Sequence, residues 1–240
     1  MERAYYISEW IKEKVREAGA EGVVLGISGG VDSALTAALA KKALGDKVLG
    51  LLIPCHSTPT DLEHARLVAD KFGIETEYVD LSPVFDRLMA SLPRGSDLAV
   101  ANLKPRLRMA TLYYFANSRN DLVAGAGNKS ELTVGYFTKY GDGGADILPL
   151  GDLLKSQVRE LARELGVPEE IIAKPPSAGL WAGQTDEGEM GITYDELDRT
   201  ISAIEKGDTS GCDEAILERV KAMVAASEHK RQPIPICKIG

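Results

Sequence analysis

Asp32 is the residue whose chemistry shows first. It stands in Ser28-Gly29-Gly30-Val31-Asp32-Ser33, just after the apolar run Val23, Val24, Leu25, Gly26, Ile27 and just before ALTAALAKKAL. The small residues Ser28, Gly29 and Gly30 let backbone N–H groups come close to a phosphate, and a helix starting behind them adds the positive end of its dipole. A carboxylate at this spot can hold Mg²⁺ and so neutralise a leaving pyrophosphate. A plain strand-to-helix turn would also use glycines here, but a strand before and a helix after favour a phosphate cradle. The stretch is neither GxxxxGK[ST] nor GxGxxG, and it has no lysine of its own to reach a β- or γ-phosphate.

Other segments carry groups of similar use. Gly125-Ala-Gly-Asn-Lys-Ser-Glu131 is a second glycine-rich turn, and Glu131 can join Asp32 around a metal if both lie past strand ends of one sheet. Gly135 to Asp146, GYFTKYGDGGAD, is too rich in glycine and charge for a core element, and loops of this kind are functional or disordered. Arg106 and Arg108 lie two apart and cannot point the same way on a helix, so one can face a ligand while the other meets solvent; both being solvated is equally compatible with the charge pattern. Lys155 opens a helix and, by pattern alone, reads as solvated. Lys174 to Glu187 holds prolines, glycines and Trp181, the make-up of a lid or of a plain surface crossing.

The elements that must place these groups follow from periodicity. An amphipathic helix around Tyr6, Trp10 and Val15 stops near Gly19. Val23 to Ile27 and Val48 to Ile53 read as buried strands of a parallel sheet, and a third strand lies near Glu75 to Val79. Thr58-Pro-Thr-Asp61 reads as a helix N-cap with proline at the first position, followed by an apolar face of Leu62, Ala65, Val68, Ala69 and Phe72. A further helix from Asn102 to Asn117 is expected to present Leu103, Leu107, Thr111 and Tyr114 together, before a fourth strand at Leu122 to Ala124. Lys155 to Leu165 packs Val158, Leu161, Ala162 and Leu165 inward. Thr193 with Glu196 makes a capping box, and Leu217, Val220 and Val224 mark a last helix; these two helices read as structural. The alternation predicts an α/β fold, doubly wound, with a mainly parallel sheet and helices on both faces. Ligands in such a sheet lie beyond the carboxyl ends of the strands, so Pro54 to Ser57 shares a rim with Ser28, and the backbone at Leu52 and Ile53 is an adenine clamp candidate. His56 and Cys55 read as incidental.

Composition sets the frame. The chain has 240 residues, enough for a full core, with 36 acidic against 28 basic residues and a formal net charge of −8. A nucleic-acid partner is disfavoured by that balance. Cys55, Cys212 and Cys237 form no CxxC and read as reduced packing residues. No leader and no long apolar span is visible, so neither membrane nor export is expected, and the cytoplasm is.

The first loop resembles the pyrophosphate loop of enzymes that split ATP between the α- and β-phosphates. SGGVDS, NLKPRLRM, GNKSE, GYFTKYGDGGAD, PLGDLLKSQVRELA, KPPSAGLWAGQTDE and SEHKRQ occur in the order and spacing of the NAD synthetase family, and they cover nearly the whole chain. The resemblance implies an adenine-nucleotide α hydrolase-like, Rossmann-like fold, a homodimer, and conversion of deamido-NAD, ATP and ammonia into NAD, AMP and pyrophosphate. It implies that Gly26, Ile27, Ser28, Gly29, Gly30, Val31, Asp32 and Ser33 bind ATP together with Ala126, Lys155 and Ser177. Asp32 and Glu131 would ligate Mg²⁺, while Arg106, Lys139, Asp146, His229 and Lys230 would contact deamido-NAD. Many relatives carry threonine where this chain has Ala126, so only backbone contact remains there, and the roles of Asn128 and Lys129 stay open. Lys155 would offset phosphate charge, and Asp142 is the candidate to take a proton from ammonium. In an isologous dimer the dinucleotide could lie across the interface, giving the tail and the Arg106 helix a shared purpose. Residues 1–240 leave no room for a glutamine amidase domain, so one synthetase domain using free ammonia is expected. A tRNA thiolase, a GMP synthetase-like enzyme or a nucleotide-binding sensor would share the first loop; a thiolase would want a reactive cysteine pair.

Overall fold

The computed structural model describes residues 2–181 and 183–239. Helix α1 (Glu2–Glu17) leads to strand β1 (Val23–Gly26), α2 (Val31–Leu44), β2 (Val48–Leu52), α3 (Pro59–Phe72) and β3 (Glu75–Tyr78). Helices α4 (Ser82–Ser91), α5 (Asp97–Ala101) and α6 (Leu103–Arg119) then precede β4 (Leu122–Val123). The remainder is helical: α7 (Lys129–Val134), α8 (Lys155–Glu164), α9 (Glu169–Ile172), α10 (Asp186–Met190), α11 (Tyr194–Lys206) and α12 (Glu214–Arg231).

The strands are parallel and ordered β3-β2-β1-β4, with Val23 opposite Val48 on one side and Leu122 on the other. Strands β1 and β2 are apolar because both sheet faces are covered. Val23, Leu25, Val48 and Leu52 pack with residues of α1, α2, α8 and α9, while Val24, Leu49, Leu51 and Val123 pack with Phe85 of α4 and Met109, Leu112 and Ala116 of α6. The sheet is therefore doubly wound, as its apolar runs predict. Edge strand β3 is exposed and carries two glutamates, which blunts it against pairing with another chain. The chain adds β2 and β3 outward on one side of β1 and returns to add β4 on the other, so the strand order reverses between β1 and β4. The crevice at their carboxyl ends is where a ligand fits.

Two expectations need correction. In α6 the buried positions are Lys104, Pro105, Met109, Leu112 and Ala116, and Tyr114 is 68% exposed. Leu103 and Leu107 lie on the flank of that stripe, because the sheet meets the helix along the 109-112-116 row. Of the cysteines only Cys55 is buried; Cys212 is half-buried and Cys237 exposed, and all three are free thiols. Among the described residues no helix is long and apolar enough to cross a membrane.

A third cluster, Val134, Met190, Ile192, Tyr194, Leu197, Ile201 and Val220, ties α7, α11 and α12 into a layer beyond the sheet. Its tightest point is Gly135, the left-handed C-cap of α7 with φ +68°, where a Cβ would lie 2.1 Å from that of Ser227 on α12. Gly135→Ala adds overpacking of about 1–3 kcal/mol to the left-handed strain. The expected fall in melting temperature is roughly 5–10 °C, measurable by calorimetry; an unchanged midpoint would show that α12 slides without cost.

Candidate active site

Strand β1 delivers the chain to the crevice, and two serines shape the loop. The Ser28 N–H donates to Ser33 Oγ at 3.1 Å, the two hydroxyls lie 3.0 Å apart, and Ser33 Oγ donates to the Gly30 carbonyl at 3.0 Å. Gly30 caps α2 without any side chain of its own, which leaves the first-turn N–H groups facing the crevice mouth for an anion. Asp32 projects from that first turn with 18% of its side chain exposed.

Asp32 is the meeting point of three segments. It accepts from Lys155 Nζ at 2.5 Å and from Asn128 Nδ2 at 2.9 Å. Lys155 Nζ also lies 3.3 Å from Glu131 Oε1. Asn128 and Glu131 are the two ends of the α7 capping box, whose N-x-x-E spacing brings a carboxylate back over the loop. Asn128 is fully buried, and so gains a definite place: it caps α7 and steadies Asp32. Lys129 instead pairs with Asp152 and Glu205 at the surface.

Lys155 overturns the reading of a solvated lysine. It is 2% exposed and stacks over the Tyr194 ring at 4.8 Å. The cause is tertiary: the Lys155 N–H donates to Ser130 Oγ, and the Ser156 N–H donates to Asp198 of α11, so the start of α8 is pinned between α7 and α11. Burial works to lower the ammonium pKa, but Asp32 and Glu131 outweigh it and hold it above the ordinary lysine value. The lysine is therefore a fixed positive charge at neutral pH. Glu131 keeps 17% side-chain exposure at the crevice wall, yet desolvation there, with Asp32 and Asp186 nearby, pushes its carboxyl upward against the pull of Lys155.

Beneath this cluster runs a network that the reading of α11 as purely structural missed. Tyr194 Oη donates toward Asp186 Oδ2 at 3.0 Å and toward Glu131 Oε1 at 3.2 Å, and Tyr136 Oη reaches Asp186 at 3.2 Å and Glu189 at 2.8 Å. Burial raises both phenols and Asp186, so the tyrosines act as hydrogen-bond donors. The capping box at Thr193 was the legible signal for α11, but it says nothing of the neighbouring tyrosine. Tyr194→Phe removes the shared donor from two carboxylates and is expected to cost about 1–3 kcal/mol. That corresponds to a melting-point fall of roughly 3–10 °C; a phenylalanine variant as stable as the parent would mean the hydroxyl is dispensable.

The residues expected at deamido-NAD gather around the glycine-rich loop. Arg106 Nε donates to the Lys139 carbonyl at 3.3 Å, Lys139 Nζ to the His229 carbonyl at 2.6 Å, and Lys230 Nζ to the carbonyls of Gly135 and Phe137 at 2.7 and 2.8 Å. Asp142 lines this side and retains solvent contact; its carboxyl is raised by desolvation, against the Thr138 N–H, which donates to it at 3.0 Å, and Lys230. Asp142 is thus in the Lys230 group, separate from the Asp32–Lys155 cluster. Asp146 stands apart from both: it accepts from the Val123 N–H at 2.7 Å and from the Tyr113 hydroxyl at 3.0 Å, whose pKa is pushed up to about 12. Ser177 is exposed in the 174–187 segment, its hydroxyl accepting from the Gly179 N–H. Ala126 is half-buried in the turn after β4.

Of the two arginines, Arg108 turns inward. Its guanidinium donates to the Ile53 carbonyl at 3.1 Å and to Ser57 Oγ at 3.2 Å, so it braces the turn after β2. Asp32 and Glu131 offer hard oxygen donors on either side of the Lys155 ammonium, which is the cation between them in this structure, and carboxylate oxygens of this kind suit Mg²⁺ when substrate phosphates and water complete its shell. Among the described residues no three acidic, histidine or cysteine side chains converge as an all-protein metal cage.

A doubly wound parallel sheet with a glycine cradle and a buried lysine–carboxylate cluster at its switch point defines an α/β nucleotide-binding enzyme. The chain belongs to the NAD synthase family, whose pattern matches residues 4–234. It is 49% identical over 236 residues to the NH(3)-dependent NAD(+) synthetase of Carboxydothermus hydrogenoformans, covering 96% of this chain and 95% of that protein. An NMN synthetase from Francisella tularensis superposes with a TM-score of 0.92 at 38% identity, over 99% of this chain and 98% of that one. An NH3-dependent NAD synthetase from Campylobacter jejuni, solved with a nitrate ion, gives 0.87 at 30% identity over the same shares. The thiolase, GMP synthetase-like and sensor alternatives fall away with this membership.

Proposed function

We propose that this chain joins ammonia to the nicotinate carboxyl of deamido-NAD at the expense of ATP, giving NAD, AMP and pyrophosphate. The observation that carries the site assignment is the convergence of Lys155, Asp32, Glu131 and Asn128 beside the phosphate loop. Gly26 to Ser33, Ala126, Lys155 and Ser177 hold ATP. Asp32 and Glu131 would hold Mg²⁺, which when bound neutralises phosphate charge. The nicotinate carboxylate attacks the α-phosphorus, the bond from that phosphorus to the bridging oxygen breaks, and pyrophosphate leaves with the electron pair. Both reactants are anions, and the fixed ammonium of Lys155 lowers the cost of bringing them together. Arg106, Lys139 and Lys230 bring positive charge to the dinucleotide with His229 beside them, and Asp146 meets it separately from the β4 side. Ammonia then attacks the acyl carbon, AMP departs, and Asp142 takes the surplus proton from nitrogen.

Asp142 keeps solvent contact beside Lys230, so a proton taken there can pass to water. One synthetase domain fed by free ammonia, acting as a cytoplasmic homodimer, fits these assignments. The likeness to an NMN synthetase makes nicotinate mononucleotide the one rival acceptor worth measuring. The test supplies Mg-ATP and ammonium chloride with deamido-NAD or with the mononucleotide, following amide product and AMP together. Equal NAD and AMP with deamido-NAD, and little turnover of the mononucleotide, is the expected result; preference for the mononucleotide would overturn the substrate assignment.

A further inference from the structure

The phosphate loop lacks a lysine, but the fold brings one to it from 145 residues away. Lys174 follows α9 and begins the Lys174-Pro175-Pro176-Ser177 segment. Its Nζ lies 3.5 Å from the Gly29 carbonyl and 2.5 Å from Asp61 Oδ1. Gly29 has φ +80°, and a Cβ there would come within 2.3 Å of the Asp61 carbonyl, so loop and α3 are in close contact. Asp61 is also held by the α3 capping box with Thr58. Burial raises its carboxyl, but hydrogen bonds from Lys174 and Thr58 outweigh that and keep it below the usual carboxylate range. Lys174 and Asp61 each keep 25% side-chain exposure, so the pair sits at the crevice wall. Because α3 follows β2 and α7 follows β4, Lys174 stands on the β2 side of the loop and Lys155 on the β4 side.

We infer that Lys174 is a further phosphate-binding residue of the ATP site, whose ammonium exchanges Asp61 for the β- and γ-phosphates and holds the leaving pyrophosphate from the side opposite Lys155. This rests on the ATP-cleaving reading given above. A phosphate seated on the N–H groups of Gly29, Gly30 and the first turn of α2 lies within the swing of a lysine already touching the Gly29 carbonyl. The pair is open to water on one side, and a multiply charged phosphate offers the ammonium more negative charge than the single carboxylate of Asp61.

The experiment compares Lys174→Met, Lys174→Arg and Asp61→Asn in the full chain, reading product inhibition by inorganic pyrophosphate, KM for ATP and binding of AMP. Lys174→Met is expected to weaken pyrophosphate and ATP by about ten- to hundredfold, the size of one charge-assisted hydrogen bond, and to leave AMP binding unchanged. Lys174→Arg should recover most of the loss. Asp61→Asn should bind pyrophosphate as well as the parent or better, because the competing carboxylate is gone. Equal weakening by Asp61→Asn and Lys174→Met would show a merely structural pair and overturn the inference, as would equal loss of AMP and pyrophosphate, or no loss. A parent protein that binds pyrophosphate through Lys174 yet makes no NAD would overturn the functional reading alone; one that makes NAD with Lys174→Met unaffected would overturn the Lys174 inference alone.

Discussion

Lys155→Met is expected to reduce kcat for NAD formation by about 10³-fold or more while the protein stays folded. Methionine matches the lysine in length and suits its surroundings, since Lys155 lies at 2% exposure against the Tyr194 ring. The charge is what disappears. Removing one partner of a fully buried ion pair costs about 3–5 kcal/mol, but Asp32 and Glu131 keep 18% and 17% side-chain exposure and can be hydrated, so the loss of stability should be smaller. A fall in melting temperature of a few degrees is the expected accompaniment. Lys155→Arg should fail too, because a guanidinium needs room that the pinned start of α8 does not give. Rates at saturating ATP and deamido-NAD, with calorimetry on the same samples, check this. A methionine variant within about tenfold of the parent rate would remove Lys155 from the charge balance of adenylation.

The same lysine shows where sequence reading stops. Signals confined to a few residues were legible: the apolar runs of β1 and β2, the Thr58 N-cap of α3 with proline behind it, the Thr193–Glu196 box of α11. Each is a local physical requirement, satisfied by neighbours in the chain. The site was legible where its chemistry is local too, in the glycine loop with Asp32 on the next turn. It was not legible where it depends on distant segments meeting. Asn128 and Asp32 are 96 residues apart, Lys155 and Asp32 are 123 apart, and a helix-opening lysine looks the same in sequence whether water or two carboxylates receive it. The buried stripe of α6 failed for a related reason: which of two adjacent rows meets the sheet is set by how the helix docks, and both rows carry apolar residues. Tyr194 was hidden by its neighbours, since a capping box explains the helix start without assigning the residue beside it.

Asp32→Asn separates two tasks that the geometry gives one carboxylate. As the partner of Lys155 and Asn128 it fixes the cluster, and as a hard oxygen donor at the phosphate loop it would hold Mg²⁺ with Glu131. Asparagine keeps the shape, and its carbonyl can still accept from Asn128, so the fold should survive. Both charge-dependent tasks are lost, and kcat/KM for ATP is expected to fall by about 10³-fold. The Mg²⁺ concentration for half-maximal rate should rise by about tenfold or more, the effect of losing one ionic ligand. Glu131→Gln makes the contrast, because Glu131 also receives the Asn128 N–H and the Tyr194 hydroxyl and so should lose stability as well as metal affinity. If Asp32→Asn lowers the rate but leaves the Mg²⁺ dependence where it was, the ion is held without Asp32, and the carboxylate serves only as the counter-charge that keeps Lys155 in place.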